Sequence, residues 1–413
     1  EQELDKEFID PTKTYDRNKL ISKQKDKKQR VEIFTDRLHG SLNLKGALFD
    51  DLTLANYHEE LDPQSPEVVL LSPRNTEELY FARIGWISGD KSVKTPDEKT
   101  LWKKVSDGRL TQENPVILEY QAEQGVLFRK IISVDDKFMI TVTQEIENNG
   151  DSEFEAFPFA LVNRTITQEQ IDASQFISHE GAVAVANDVL HENDYSEMAD
   201  EGKINYQSVS GWAGFADKFW MASIIPENPK TSLFDISMKY YRKNAVNRYQ
   251  VDMLGDKYSI PPQGKISYNF NLYTGAKKLS FIEQYKEELN IPLFDRSIDF
   301  GWLYFLTKPI FQALTFFNKY AGNFGIAILI LTLVIRLILF PLANKSYQSM
   351  AKMRKHMPEI QRLRERYKND RQKLGTEMMK YYKDHKINPM SGCLPILVQI
   401  PVFFSLYKVL STT

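Results

Sequence analysis

Two polar side chains, Thr332 and Arg336, stand four residues apart in Phe324 to Ala343, a run of twenty residues that is otherwise apolar. The chemistry they offer is electrostatic rather than covalent. A guanidinium is charged at any accessible pH, carries five N–H donors and attracts carboxylates. Thr332 lies one helical turn earlier and shares the face of Arg336. A third polar group, Gln399, interrupts the apolar run Cys393 to Leu410 together with Pro395, Pro401 and Lys408. No pattern points to a catalytic centre. His39, His58, His179 and His191 stand apart, and neither His179-Glu180 nor His191-Glu192 has the second histidine of a metal-binding helix. The sequence has no Gly-rich phosphate loop and no nucleophile elbow, so it calls for no cofactor and no metal.

Such a group must be positioned by a helix. At 1.5 Å per residue, Phe324 to Ala343 is ~30 Å long, the thickness of a bilayer's hydrocarbon core, which predicts a transmembrane helix. Arg336 falls roughly 4 Å from the middle of that helix, too deep to snorkel fully. An arginine there costs ~2.5–3.5 kcal/mol on insertion scales, and such a residue faces protein interior or a water-filled cavity.

Average composition hides this segment: 413 residues, 26% of them charged, describe an ordinary soluble chain. The charge is sharply partitioned. Residues 1–323 carry 38 Lys and Arg against 50 Asp and Glu, whereas residues 344–392 carry 13 against 5, a net of +8. Basic residues just past a membrane helix set its orientation, which predicts a cytoplasmic 344–392 segment and an outer, periplasmic 1–323 segment. Cys393 is the one cysteine, which rules out an intrachain disulfide. Glu1 to Arg30 is too charged for an export signal, so an internal helix or a preceding segment is expected to serve.

The chain order supports this layout. Residues 1–30 read as a flexible polar lead-in with little to bury. Short alternating runs over 31–275 predict one large antiparallel β-sandwich, with a hairpin joining Val126–Val134 to Phe138–Val142. Further strands are expected at Phe154–Val162, Ala182–Val189, Lys218–Ile225, Tyr249–Leu254 and Ile266–Tyr273, and Pro158 suggests an edge position or a bulge. Residues 280–320 form a linker and an amphipathic helix lying in the membrane interface. Trp302, Phe305, Leu306, Ile310, Phe317 and Tyr320 fall on one side, with Thr307 and Lys308 largely on the other and Pro309 kinking or restarting the helix. Residues 346–367 and 371–385 predict a basic helical hairpin facing itself through Met350, Met353, Met357, Ile360, Leu363 and Tyr367 on one helix and Leu374, Met378, Met379 and Tyr382 on the other. Arg362, Arg364, Arg366 and Lys368 offer contacts to anionic lipid or to ribosomal RNA. Residues 393–413 return across the membrane.

Several short motifs together resemble the YidC family of membrane protein insertases, over Asp299 to the C-terminus. They are Asn323-Phe324-Gly325, Thr332 with Arg336, Tyr347 to Arg354, Glu377-Met378-Met379, Asn388-Pro389, and Gly392 to Pro395 with Gln399 and Pro401. Gly211-Trp212 and Tyr273-Thr274-Gly275 with Lys277 are similar to the family's large periplasmic domain in Gram-negative bacteria. The resemblance implies a signal-anchor helix before Glu1 and three more membrane helices after Thr413. It also implies a hydrophilic groove open to cytoplasm and lipid, with Arg336, Thr332 and Gln399 at its lining positions.

The fold class expected is thus a multidomain membrane protein, a periplasmic β-sandwich followed by an α-helical membrane region with a cytoplasmic hairpin. Its expected role is to insert nascent proteins into the bacterial inner membrane. Partners follow from that role: nascent membrane proteins, the lipid bilayer, a Sec translocon, the ribosome and signal-recognition components, with no specific DNA binding. Two other readings use fewer of these features. A transporter or channel would make Arg336 a substrate counter-ion, and a membrane-anchored carbohydrate-binding module would leave Arg336 without a task.

Overall fold

A computed structural model describes residues 15–89, 93–174, 178–243, 246–385 and 394–412. The chain divides into two compact units, Glu1–Asp299 and Phe300–Thr413. Cys393, Gly392 and Asn388-Pro389 lie outside the described residues.

The first unit opens with helix α1 (Arg17–Asp26), capped by Asp16, which accepts a hydrogen bond from the Lys19 amide at 2.9 Å. This corrects the expectation that residues 1–30 are a flexible polar lead-in with little to bury. Leu20 and Ile21 are buried, and Arg17 forms an ion pair with Asp51. Two adjacent apolar residues suffice to dock a short helix when an ion pair fixes its start.

The strands follow as β1 (Arg30–Phe34), β2 (Leu38–Asn43), β3 (Leu48–His58), β4 (Glu67–Leu71), β5 (Tyr80–Ser88) and β6 (Lys103–Lys104). Next come β7 (Val116–Gln121), β8 (Val126–Val134), β9 (Met139–Asn148), β10 (Phe154–Thr165), β11 (Gly181–Ala186) and β12 (Val189–Asp194). The last are β13 (Lys203–Ser208), β14 (Gly211–Ala216), β15 (Trp220–Pro226), β16 (Phe234–Lys243), β17 (Val246–Gly255), β18 (Tyr258–Ile260) and β19 (Lys265–Ala276). They form two antiparallel sheets. One runs β1-β2-β3-β5-β10-β17-β16-β13, with β4 on β3 and β18 on β10; the other runs β12-β11-β14-β15-β19-β9-β8-β7-β6.

The predicted hairpin is β8–β9, in register from Val126 opposite Asn148 to Val134 opposite Ile140. Its strict alternation sends Phe128, Ile132, Val142 and Ile146 into the core. Aromatic pairs reach from sheet to sheet, with Trp86 edge-on to Tyr268 and Phe234 tilted against Phe270. Arg164 of β10 crosses to Asp217 at 2.6 Å and stacks on the Tyr80 ring. Burial is the largest single influence and opposes its charge, but Asp217 together with Tyr195 and Tyr80 outweighs burial and raises its pKa.

Two strand expectations change. The run Ala182–Val189 is split by a turn, because Asn187 and Asp188 both adopt left-handed backbone at φ 52° and 62° and fold β11 onto β12. Pro158 lies in an interior strand, neither at an edge nor in a bulge. On one side of β10, pairing with β18 ends at Ala156 and pairing with β17 begins at Phe159, so the proline falls where one neighbour hands over to the next. A missing N–H costs little there.

The stretch expected as linker is partly sandwich. Helix α2 (Gln168–Ser174) and helix α3 (Tyr195–Glu201) fill strand connections, while helix α4 (Leu279–Glu288) and a 3₁₀ turn at Phe294–Ser297 complete the unit. Leu279, Ile282, Tyr285 and Phe294 are buried. Trp212 donates from Nε1 to the Pro292 carbonyl at 2.9 Å and meets Phe294 edge-on, so residues 279–299 cover the outer face of β14. Two glycines from the quoted motifs have structural reasons. A Cβ at Gly211, φ 133°, would lie 1.7 Å from the Val185 carbonyl oxygen, and one at Gly275 would lie 2.2 Å from the Phe138 ring.

Candidate functional site

The second unit is helical: α5 (Tyr304–Ala321), α6 (Phe324–Arg366), α7 (Arg371–Asp384) and α8 (Leu394–Thr412). Local sequence dictates the first corner. Gly322 takes the left-handed conformation at φ 64° that ends α5, its N–H bonding the Asn318 carbonyl at 2.8 Å. Asn323 then caps α6 by accepting from the Ile326 amide at 3.2 Å. The corner folds α5 back against α6. Ile310 and Leu314 of α5, Ala327 and Leu331 of α6 and Val409 of α8 form one buried cluster.

Helix α6 is the longest element, 43 residues without a break through Pro341 and Pro358. This corrects the division into a membrane helix and a separate hairpin helix. The side-chain pattern changes from apolar to basic at Asn344, but the backbone ladder does not depend on side-chain polarity and runs on. Along its apolar part Leu329, Leu333, Leu337, Ile338 and Phe340 are exposed, and this is the one described helix whose length and composition suffice to cross a bilayer. Residues 396–411 of α8 form a shorter apolar helix. Leu397, Ile400, Phe403 and Phe404 are exposed there too, a dense apolar surface that suits lipid rather than water. Lys408, by contrast, is buried.

Thr332 and Arg336 share one face of α6, as their spacing requires. Thr332 is half-buried, and its hydroxyl donates to the Ile328 carbonyl at 2.8 Å. Thr307 and Thr315 of α5 bond back by one turn in the same way, at 3.1 and 3.0 Å. Each hydroxyl proton is thereby satisfied inside its own helix, which permits threonine in an apolar environment. The guanidinium of Arg336 is exposed, and among the described residues no ion pair neutralises it. Gln399, half-buried on α8, is joined to neither Thr332 nor Arg336 by a hydrogen bond among the described residues. The fold thus brings two of the three groove candidates together and leaves the third on another helix.

The faces of α5 differ from the expected division. The packed stripe is Leu303, Thr307, Ile310 and Leu314, so Thr307 belongs inside, held by its back-bonded hydroxyl. Phe317 is half-buried beside that stripe, whereas Trp302, Phe305, Phe316 and Tyr320 are exposed. Lys308 is half-buried with its Nζ 5.4 Å from the Tyr304 ring centre. The helix continues through Pro309 with no restart.

In the hairpin, Arg362, Arg364, Arg366 and Lys368 are all exposed. Arg362 pairs with Glu359 at 2.7 Å, an exposed bridge that leaves the local charge strongly basic. The methionine stripe is only partly closed. Ile360 is buried, but Met357 and Met379 are exposed, and α7 buries none of its residues. Polar and ring contacts supplement it: His356 Nδ1 lies 2.8 Å from the Tyr381 hydroxyl, and the Tyr381 ring stacks on His385. Sequence reading missed this trio because single histidines carry no pattern until two helices are folded together.

Comparison with known proteins agrees with this architecture. The family model for the YidC periplasmic domain matches residues 30–313, and that for the 60Kd inner membrane protein matches residues 316–413. The membrane protein insertase YidC of Rickettsia bellii is 43% identical over 395 residues, 95% of this chain and 70% of that protein. That of Rickettsia typhi is 43% identical over 386 residues, 93% of this chain and 68% of that protein. Among solved structures, an active YidC insertase crystal structure with its first transmembrane domain resolved is 17% identical, covering 93% of this chain and 72% of that one at a TM-score of 0.28. A putative aldose 1-epimerase from Escherichia coli is 9% identical over 59% of this chain and 98% of that one, TM-score 0.37. By the two family models and by the identity and span of the Rickettsia relatives, the chain belongs to the YidC family of membrane protein insertases, inner membrane proteins with a periplasmic domain.

Proposed function

We propose that the insertase works through a polar path beside Arg336. The observation that carries this reading is one cation, with Thr332 a turn away, set near the middle of an apolar stretch of α6 long enough to span the bilayer. A nascent protein's polar outer tail meets a high barrier in hydrocarbon, because its backbone groups lose their hydrogen bonds there. Arg336 lowers that barrier by transient contact with tail carboxylates, while Thr332 and Gln399 offer hydrogen bonds. The substrate's apolar helix then enters lipid, and its burial drives the process without nucleotide or covalent chemistry. In this reading the protein crosses the membrane more than once, with residues 1–323 periplasmic and 344–392 cytoplasmic. Trp302, Phe305, Lys308 and Phe317 seat α5 at the outer interface. The hairpin receives substrate from the ribosome or signal-recognition components, with or without a Sec translocon.

The test is insertion into proteoliposomes of substrates that differ only in tail charge. Arg336→Ala is expected to slow acidic-tailed substrates about tenfold more than neutral-tailed ones, the scale of one partly screened charge contact. Arg336→Lys keeps most activity, since it retains the charge and loses only the bidentate fork. Equal losses for both tails would make Arg336 a structural residue.

A further inference from the structure

A large cleft of about 1150 Å³ opens on the first unit. Its floor is the outer face of the sheet containing β5, β10 and β17. Register places Phe81, Asn163 and Gln250 side by side across those strands, with Leu161 two residues along β10 and Tyr241 of β16 beyond. Leu48, Leu79 and Phe81 pack together as the apolar part of that floor. Asn163 supplies the polar part, donating from Nδ2 to the Tyr241 hydroxyl at 2.8 Å and to Gln250 Oε1 at 3.0 Å. α1 forms one wall.

The rim is basic although the unit is acidic. Residues 1–299 carry 36 Lys and Arg against 50 Asp and Glu, yet among the described residues eight basic side chains line the cleft against three acidic ones. Two of those acids are already held, Asp50 by Arg30 at 2.9 Å and Glu98 by Arg74 at 2.7 Å. No ion pair among the described residues neutralises Lys45, Arg242 or Arg248. Arg83 sits close enough to Arg74 that burial, then this second cation, lower its pKa. A local excess of one sign in a concave wall concentrates ligands of the opposite sign.

We infer that this cleft binds an extended acidic polypeptide segment, such as the outer tail of a substrate after it has crossed the membrane. The inference rests on the insertase reading for the identity of that segment. The chemistry of the floor favours a peptide over a lipid phosphate. Asn163 Oδ1 and Arg248 Nε are buried without a hydrogen-bond partner, one acceptor and one donor. A peptide group supplies both a donor and an acceptor, whereas an ionised phosphate diester supplies acceptors alone. The alternation of an extended chain also suits a floor that is part apolar and part amide, with carboxylates reaching the rim.

The test uses the full chain in lipid nanodiscs and a fluorescent peptide of about 12 residues, ~40 Å when extended, that alternates Glu or Asp with Leu or Val. Wild type is expected to bind it in a salt-sensitive manner and to bind a Lys-substituted counterpart about tenfold more weakly or worse. Lys45→Glu/Arg242→Glu/Arg248→Glu is expected to weaken binding of the acidic peptide about tenfold, the scale of three partly screened reversals. Lys45→Arg/Arg242→Lys, which keeps the charge and leaves Arg248 Nε in place, is expected to bind as wild type does, and a triple variant with the circular dichroism spectrum and melting temperature of wild type shows that its loss of binding is not misfolding. Neutralising Arg362, Arg364, Arg366 and Lys368 should leave peptide binding unchanged.

Equal binding of acidic and basic peptides, loss on changing the hairpin rather than the cleft, or displacement of the peptide by phosphatidylglycerol vesicles would overturn the assignment. Failure here is separable from failure of the insertase reading. A triple variant that inserts a short, neutral-tailed substrate normally leaves that reading intact whatever the peptide does.

Discussion

Lys130 is 4% exposed between the two sheets, donating to the Ile84 carbonyl and, at 3.4 Å, to Gln144 Oε1. β3 runs beside β5 in register only at Phe49 and Ala82, so donors from the facing sheet serve the side of β5 that has lost its neighbour. Burial, reinforced by the Arg83 cation, pushes the lysine pKa down from 10.5 to about 7. Between those two values the unfolded chain holds the proton and the folded chain releases it. Stability from this group therefore rises as pH climbs from 7 to 10.5, and the full penalty is present below 7. Lys130→Met is expected to stabilise the protein by about 1–3 kcal/mol at pH 6, with the gain shrinking as pH rises through that range. Thermal melts at several pH values check this, and an unaltered pH slope in the variant would rule out Lys130 as its source. None of this was legible in the sequence, where Arg129-Lys130 looks like any charged pair in a strand. Arg336 is the opposite case, since its anomaly is local and needs only the apolar residues around it.

At the scale of elements, α6 is one 43-residue rod in which the predicted membrane span and the first hairpin helix are continuous. Spin labels at Phe324 and Arg366 are expected to report a narrow distance distribution centred near 63 Å, at 1.5 Å per residue. A broad distribution at much shorter distances would place a hinge between span and hairpin. The continuous helix places the exposed Arg362, Arg364 and Arg366 at its far end from the apolar stretch. Neutralising Arg362, Arg364, Arg366 and Lys368 together is expected to weaken ribosome or anionic-vesicle binding several-fold, with the difference vanishing at about 300 mM salt as the screening length shortens and these exposed charges lose their reach. Integration into the membrane should be unchanged. Binding equal to wild type at low salt would reduce these charges to orientation signals. Helix existence was legible here and helix boundaries were not, because the apolar-to-basic switch at Asn344 marks a change of solvent rather than a change of backbone.

At the scale of the whole molecule, the chain is two compact units with separate cores, divided at Asp299 and Phe300. Residues 15–299, expressed alone, are expected to give a soluble β-protein with a cooperative thermal transition, because every strand of both sheets lies within that span. The same span without α4 and the 3₁₀ turn, ending at Ala276, is expected to lose stability or aggregate, since Trp212 and Tyr273 would lose the cover of Phe294 and Tyr285. A helical or disordered circular dichroism spectrum from the longer fragment would refute the division.

The sequence by itself determined the features that depend on neighbours in the chain. These are the period-two alternation of β8 and β9, the apolar length of α6 with Arg336 inside it, the glycine and asparagine of the α5–α6 corner, and the charge reversal past residue 343. Each is set by a repeat or a dihedral requirement a few residues long. Tertiary structure alone decided what depends on distant segments meeting. It joined Arg164 to Asp217, laid residues 279–299 over Trp212, buried Lys130 and Thr307, and gathered basic side chains from α1, β2–β3, β5 and the β16–β17 hairpin around one cleft in an acidic unit. The physical reason is that burial and local potential are properties of a site in space, and a strand order such as β3-β5-β10-β17 places together residues two hundred positions apart.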